Sequence, residues 1–479
     1  MSFKLFVAST FGLIKSTTKL ETAYESLLAD YQMFCAFEKS AELKEYNELD
    51  LLVKSPTFLQ RKREVQHSVF KGSKEEAQLA EFKKLGRNGR LQKFYNTLES
   101  EDLNRFDKIS ASGEFASYKK LKSIVHDPSF DARKKKDEKS DEFAKSAEYH
   151  KIKNLENIRF YEQFAKSSGY KNYLLLKDSP ERRRYEELQK ITASGEFKAR
   201  ITYLEDKQKW EKTEEHAKEI RFSELKKLPQ FINYQKYINS NAFDFFKKWD
   251  LVFEDRFNLG KLDMQKWMTK SYWASQTLGR NFSQVGDLQS FTEGRNVTIE
   301  SNTMTIGVRK EKNVGMLWQI PYGFVEHDFD YSSGIVSTAG VDWWKHGILE
   351  AKVKYAPSQN LVDAIYLLGE ETSPQVNLVE MGVKNRVGLL TKTAEGIQAE
   401  CESISGLKTG EYYIFRLEWN SHSLTWKING KEILTVANNV PAFKLHLNAA
   451  SIVVSEPISD LPHRFEIDWV RFYQRHPKA

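Results

Sequence analysis

The chain has 479 residues, of which 29% are charged and 40% hydrophobic, and a formal net charge of +7. That length exceeds one ordinary core, so two or more domains are expected, and the apolar fraction excludes wholesale disorder. Acidic residues nearly balance basic ones, which argues against a nucleic-acid partner, and no stretch reaches the ~18 apolar residues of a membrane helix.

The first segment, Met1 to Lys15, carries Lys4 and then Leu5-Phe-Val-Ala-Ser-Thr-Phe-Gly-Leu-Ile14. Its apolar run is short, is interrupted by Ser and Thr, and leads to no small-residue cleavage site, so it makes a poor signal peptide. The segment reads as the first turns of a helix, and a cytoplasmic location follows. From there to Lys248 the sequence is rich in Lys, Glu, Leu and Ala, with apolar residues three or four apart, which are helix formers at helix spacing. Only Trp210 of ten tryptophans, and only Pro56, Pro128, Pro180 and Pro229 of eleven prolines, fall in this part.

The same part repeats itself. Ile109-Ser-Ala-Ser-Gly-Glu-Phe115 recurs as Ile191-Thr-Ala-Ser-Gly-Glu-Phe197, an offset of 82 residues that also aligns Phe82 with Phe164 and Leu103 with Tyr185. The repeat predicts helical hairpins, each leaning on the next because one alone cannot bury its apolar face. Gly113 and Gly195 suit helix ends or tight turns. The aromatic stripes read as packing, while a docking surface for a protein partner is the functional alternative. Cys35 and Cys401 lie in different halves and read as small buried apolar residues.

Beyond Trp249 the pattern becomes one of strands. Val297-Thr-Ile-Glu-Ser-Asn-Thr-Met-Thr-Ile-Gly-Val308 predicts two strands joined at Ser301-Asn302. Ile348 to Lys354 alternates, and Ser423 to Ile428 alternates before the turn signal Asn429-Gly430. Many such short runs predict an antiparallel sandwich or jelly roll.

Four pieces of this half stand in a familiar order. They are Leu251-Val-Phe-Glu-Asp-Arg-Phe-Asn258 with Trp267, and Ser333-Gly334 through Gly347 to Lys352. They continue with Tyr413-Ile-Phe-Arg-Leu-Glu-Trp419 with Leu424-Thr-Trp426, and Phe465-Glu-Ile-Asp-Trp-Val-Arg-Phe-Tyr473. Together they resemble glycoside hydrolase family 16 over residues 249–475. The resemblance implies a concanavalin A-like jelly roll with a glycan cleft on its concave face. The expected chain is therefore a multidomain α + β protein. Residues 1–248 form an all-α helical repeat and hairpin array, and residues 249–479 form an all-β jelly-roll sandwich.

Active members of that family carry Glu-x-Asp-x-x-Glu on one strand. Residues two apart on a strand share a face, but the last glutamate joins them only if a β-bulge resets the alternation. The matching segment here is Gln375-Val-Asn-Leu-Val-Glu380. Glu380 falls at the acid/base position, Gln375 at the nucleophile position and Asn377 at the aspartate position. An amide cannot form a glycosyl ester or supply charge to an oxocarbenium-like transition state, and a retaining pair needs two carboxyl groups about 5 Å apart.

The strand upstream reads Val362-Asp-Ala-Ile-Tyr366, where family members carry stacking aromatics. Tyr366, Asp363, Trp343 and Trp344 are the sugar-binding candidates. Glu254 and Asp468 resemble places where family members hold a structural calcium, and no other cofactor follows from the sequence. The expected partner is a polysaccharide of β-glucan or galactan type, bound without turnover or with severely weakened turnover. Two other readings stay open: an active endo-β-glycosidase whose nucleophile has moved to Asp363 or Glu371, and a structural protein without sugar binding.

Overall fold

The computed structural model describes residues 14–131, 141–456 and 461–477. The helix expected over Met1 to Lys15 lies outside these residues, apart from Ile14 and Lys15, which are not helical. Contacts divide the chain into two compact units: Met1–Ser40 with Pro229–Ala479, and Ala41–Leu228. The division does not fall at the change in composition near Trp249. Helix α1 (Thr17–Glu38) and the stretch from Pro229 pack their aromatic residues on each other, and Tyr24 and Phe245 meet Tyr473 of the sandwich, so they belong to its unit.

In the helical unit the chain runs outward through α2 (Ala41–Val53), α3 (Pro56–His67), α4 (Lys74–Gly86), α5 (Gly89–Leu98), α6 (Glu101–Ser110) and α7 (Gly113–Val125). It returns through α8 (Asp141–Lys153), α9 (Glu156–Lys166), α10 (Ser168–Leu176), α11 (Pro180–Ala193), α12 (Gly195–Glu205) and α13 (Glu214–Leu225). Partners are remote in sequence rather than adjacent: α7 packs on α8, α6 on α9, α5 on α10, α4 on α11 and α2 on α13.

One stacked aromatic pair marks each of these contacts: Tyr118 on Tyr149 at 5.7 Å, Phe106 on Tyr161 at 4.2 Å and Phe94 on Tyr173 at 5.3 Å. Phe82 stacks on Tyr185 and Tyr46 on Phe222, both at 5.2 Å. Phe58 meets Trp210 edge-on at 5.8 Å. Positions 46, 58, 70, 82, 94, 106 and 118 are all aromatic, a spacing of 12 residues, and 149, 161, 173, 185 and 197 repeat it on the return.

The breaks between helices come from capping. Ser55, Ser73, Ser100, Ser112, Ser167, Ser179 and Ser194 each accept a hydrogen bond from the main-chain N–H three residues on. Pro56 and Pro180 open their helices at the position where a missing N–H costs nothing. The 82-residue repeat is therefore two such caps, Ser112 before α7 and Ser194 before α12, and these helices are not partners.

In the other unit, α1 lies on the outer face of the larger of two sheets. Trp469 donates its indole N–H to Glu21 at 2.9 Å, and the Tyr24 and Tyr473 hydroxyls are 3.1 Å apart. The far end of α1 packs on α14 (Pro229–Tyr237), with Phe34 stacked on Tyr234 at 5.1 Å. Helix α15 (Asp244–Lys248) then leads into the first strand.

The larger sheet holds β1 (Trp249–Asp255), β2 (Phe282–Gln284), β3 (Gln289–Phe291), β4 (Val297–Glu300), β5 (Thr303–Gln319), β6 (Gly323–Ser333) and β8 (Gly347–Lys354). It is completed by β13 (Tyr412–Trp419), β14 (Leu424–Ile428), β15 (Lys431–Val436) and β17 (His463–Arg475). The smaller sheet has the order β12 (Gly396–Ser403), β11 (Arg386–Thr393), β10 (Gln375–Gly382), β9 (Leu361–Leu368), β16 (His446–Val453), β7 (Ile335–Ser337).

A short helix, α16 (Tyr272–Thr277), interrupts the strands. Both predicted turns form: Ser301-Asn302 and Asn429-Gly430 all have positive φ, the conformation that joins paired strands with two residues. Alternate residues such as Tyr413, Phe415, Leu417 and Trp419 fill the space between the sheets. Among the described residues no helix is long and apolar enough to cross a membrane.

Emptying one rung tests the aromatic pairing. Phe94 is fully buried, at 0% exposure, so Phe94→Ala is expected to cost about 3–5 kcal/mol. Ser112→Ala, which removes a cap, is expected to cost about 1 kcal/mol. Denaturant titration followed by far-UV circular dichroism measures both.

Candidate functional site

Strand β10 builds the site. On it Val376, Leu378, Val379 and Met381 all enter the core, which regular alternation forbids. Pairing with both neighbours shifts register between Asn377 and Glu380, so a bulge lies there. The bulge returns Glu380 to the face shared by Gln375 and Asn377, as the motif requires. From the opposite sheet, Trp426 donates its indole N–H to the Asn377 carbonyl at 2.8 Å, through the buried core.

On that face the three side chains form a directed chain. Gln375 Nε2 donates to Asn377 Oδ1 at 2.7 Å, and Asn377 Nδ2 donates to Glu380 Oε2 at 2.8 Å. The same carboxylate oxygen accepts from Arg386 Nε at 2.7 Å. Asn385 delivers that arginine: its amide bridges both main-chain groups of Gly382 across the β10–β11 turn. Were residue 377 an aspartate, its contact with Glu380 would need a shared proton. An amide N–H does the same work with no proton to lose.

Register places Tyr366 beside Asn377 on one side and Asn448 on the other, a row of neutral polar groups across β10, β9 and β16. Burial pushes the Tyr366 phenol up to about 12, so it stays protonated. Gly388 completes the row on β11. Its φ is +144°, and a Cβ there would lie 2.3 Å from the Glu400 carbonyl oxygen, so only glycine fits.

His446, two residues before Asn448 and on the same face, is covered by aromatics. Trp343 lies 4.3 Å and Tyr272 5.5 Å from its ring. His446 is 1% and Asn448 2% exposed, yet His446 Nδ1 and Asn448 Nδ2 have no hydrogen-bond partner. Buried donors and acceptors of this kind are nearly always satisfied, so two together are unusual. Of the residues that β9, β10, β11 and β16 turn to this face, Glu380 is the one carboxylate.

Gln375, Asn377 and Glu380 thus share one face with Tyr366 alongside, Trp343 lies against His446, and two other candidates lie elsewhere. Asp363 points the other way, into the sandwich, where it accepts from the Ser451 hydroxyl and meets His463 Nε2 at 2.6 Å. Asp363 and Tyr366 are three apart on a regular strand, so they cannot share a face. Trp344 is core, 4% exposed and stacked on Phe472 at 4.4 Å.

Glu371 is exposed in the loop before β10. Glu254 pairs with Arg471 at 2.8 Å and Arg256 at 2.9 Å, and Asp468 pairs with Lys352 at 2.7 Å. Among the described residues no group of three or more His, Cys, Asp or Glu is placed to hold a metal ion. The sequence reading missed His446, Asn448, Arg386 and Tyr272. The first two were visible as polar residues alternating with core Leu445, Leu447 and Ala449.

No protein-family model matches the chain. The clotting factor G alpha subunit of Tachypleus tridentatus is 23% identical over 255 residues, which is 47% of this chain and 34% of that protein. The chain thus spans about a third of that curated relative. The solved catalytic domain of an endo-1,3-beta-glucanase (laminarinase) from Thermotoga petrophila RKU-1 is similar at 20% identity and a TM-score of 0.39, over 48% of this chain and 99% of that one. The endo-beta-1,3-glucanase of Pyrococcus furiosus is similar at 18% identity and a TM-score of 0.39, over 48% and 96%. A non-specific endo-beta-1,3(4)-glucanase from family 16 gives 20%, 0.39, 48% and 92%.

Two measurements test these placements. Burial lowers the pKa of His446 from 6.5 to about 4. The unfolded chain then takes up this proton first, so roughly 3 kcal/mol present above pH 6.5 is lost as pH falls toward 4. His446→Gln is expected to flatten the fall in melting temperature across that window. Asp363→Ala removes a buried partner shared by His463 and the Ser451 hydroxyl and is expected to destabilise the sandwich by roughly 2–4 kcal/mol. Tryptophan fluorescence follows that unfolding, since nine of the ten tryptophans lie at or beyond Trp249.

Proposed function

We propose that the sandwich binds a neutral polysaccharide of β-glucan type in this cleft and does not cleave it. The observation that carries the reading is the chain Gln375–Asn377–Glu380–Arg386. One carboxylate stands where double displacement needs two, and it already accepts from an amide and a guanidinium. Nothing on this face offers a nucleophile to an anomeric carbon.

The row of Asn448, Tyr366 and Asn377 offers groups that pair with hydroxyls, and Trp343 offers a flat apolar face of the kind sugar rings stack on. The ligand class comes from the motif resemblance to family 16. A relocated nucleophile fits less well, because Asp363 is turned into the core and hydrogen-bonded at both oxygens.

Affinity electrophoresis in gels containing laminarin, lichenan or agarose, with a reducing-end assay alongside, tests the proposal. Retardation without new reducing ends is expected. Trp343→Ala is expected to weaken retardation roughly 2–10-fold, the worth of one stacking contact. Gln375→Glu with Asn377→Asp is expected to produce hydrolysis, lost again on adding Glu380→Gln. Wild-type turnover on the order of 1 per second, abolished by Glu380→Gln alone, would overturn the proposal, as would a failure of all three glycans to retard the protein.

A further inference from the structure

On the outer face of the larger sheet, away from the cleft, a groove of about 710 Å³ runs between the starts of β1 and β8 and the ends of β13 and β17. Its size is in the range of ligand sites. Four cations line it, Lys248, Lys345, Arg416 and Arg475, against one acid, Glu418. Lys248 is held by Asp244 at 2.8 Å, while Arg416 is shared between Glu350 and Glu418, each at 2.9 Å. Glu418 is neutralised again by Lys427 at 2.8 Å. Lys345 and Arg475 have no ion-pair partner among the described residues, so the groove holds uncompensated positive charge.

His346 stands beside them and is unusual twice over. Its φ is +58°, a conformation that costs a non-glycine residue energy, and its Nε2 is shut away from solvent with no hydrogen-bond partner. Burial, and after it the neighbouring Lys345 cation, hold its pKa below the usual histidine range. The ring is therefore neutral at pH 7, and a small rotation of it would bring the unsatisfied nitrogen to the groove. Gln474 and the half-buried indole of Trp249 line the same groove. Strain together with an unsatisfied buried atom is the signature of a site shaped for something else.

We infer that this groove is a second binding site, specific for an anionic saccharide: Lys345 and Arg475 take its sulfate or carboxylate groups, while His346, Gln474 and Trp249 take its ring. A bare polyanion would use the cations alone. The mixture of cations, neutral hydrogen-bonding groups and one flat ring favours a charged sugar. The inference stands apart from the cleft, because it uses none of the cleft's residues.

The experiment is affinity electrophoresis of the full chain in dextran sulfate and in uncharged dextran, with inorganic sulfate and poly-L-glutamate as competitors. Retardation by dextran sulfate but not dextran is expected, falling with rising salt. Lys345→Glu with Arg475→Glu is expected to weaken it at least tenfold and to leave laminarin retardation as it was. Trp343→Ala, in the cleft, is expected to do the reverse. His346→Gly relieves the backbone and is expected to raise the melting temperature while weakening dextran sulfate binding, whereas a purely structural histidine would move only the first.

Equal retardation by dextran, unchanged binding in the double variant, or competition by poly-L-glutamate as effective as that by dextran sulfate would overturn the inference. Inorganic sulfate competing at millimolar concentration supports the oxyanion contact. Its failure to compete at any concentration counts against that contact.

Discussion

The bulge in β10 is the constraint on which the site depends. A strand presents alternate residues to alternate faces, and a motif spaced two and then three can converge only if one residue is added to the strand without being paired. Leu378 and Val379 both enter the core to accomplish this. The indole of Trp426 then reaches across from the other sheet to the Asn377 carbonyl. That one hydrogen bond ties the packing of the sandwich to the geometry of the cleft, so the strand cannot regularise without leaving a buried donor and acceptor unmet.

Within that frame the chain keeps shape and changes charge. Where three acids would have to share protons, two amides pass a fixed hydrogen-bond direction toward Glu380, and Arg386 ends the series. The two amides carry no titrating proton, so the chain of donors keeps one direction. His446, kept neutral by burial, and Tyr366, kept protonated by burial, continue the same economy of charge along the floor.

Much of this was legible in residues. The turns at Ser301-Asn302 and Asn429-Gly430 follow from local chemistry, and the need for a bulge follows from counting along one strand. Asp363 and Trp344 were misplaced for opposite reasons. For Asp363 the count was not extended three residues from Tyr366, while for Trp344 sequence alone cannot say which of two adjacent tryptophans turns inward. In the helical unit the 82-residue echo was real but incidental, since it joined two serine caps. The governing period was the 12-residue spacing of aromatics, hidden because Phe and Tyr both occupy it and no fixed neighbour accompanies them. Pairing across the fold-back depends on contacts whose separation grows from 31 residues (118 to 149) to 176 (46 to 222), which no local pattern carries.

That fold-back has a consequence for how the chain is made. Helices α7 and α8 are partners close in sequence, and each return helix pairs one rung further back, so the loop each pairing closes lengthens from the turn toward the open end. Helix α1 finds its mate much further along the chain, in α14, where Phe34 stacks on Tyr234. Its other end rests on a sheet whose strand β17 (His463–Arg475) follows later still in the chain. Phe34 can therefore be covered once α14 has formed, while Tyr24 meets Tyr473 and Glu21 meets Trp469 only after β17 is in place.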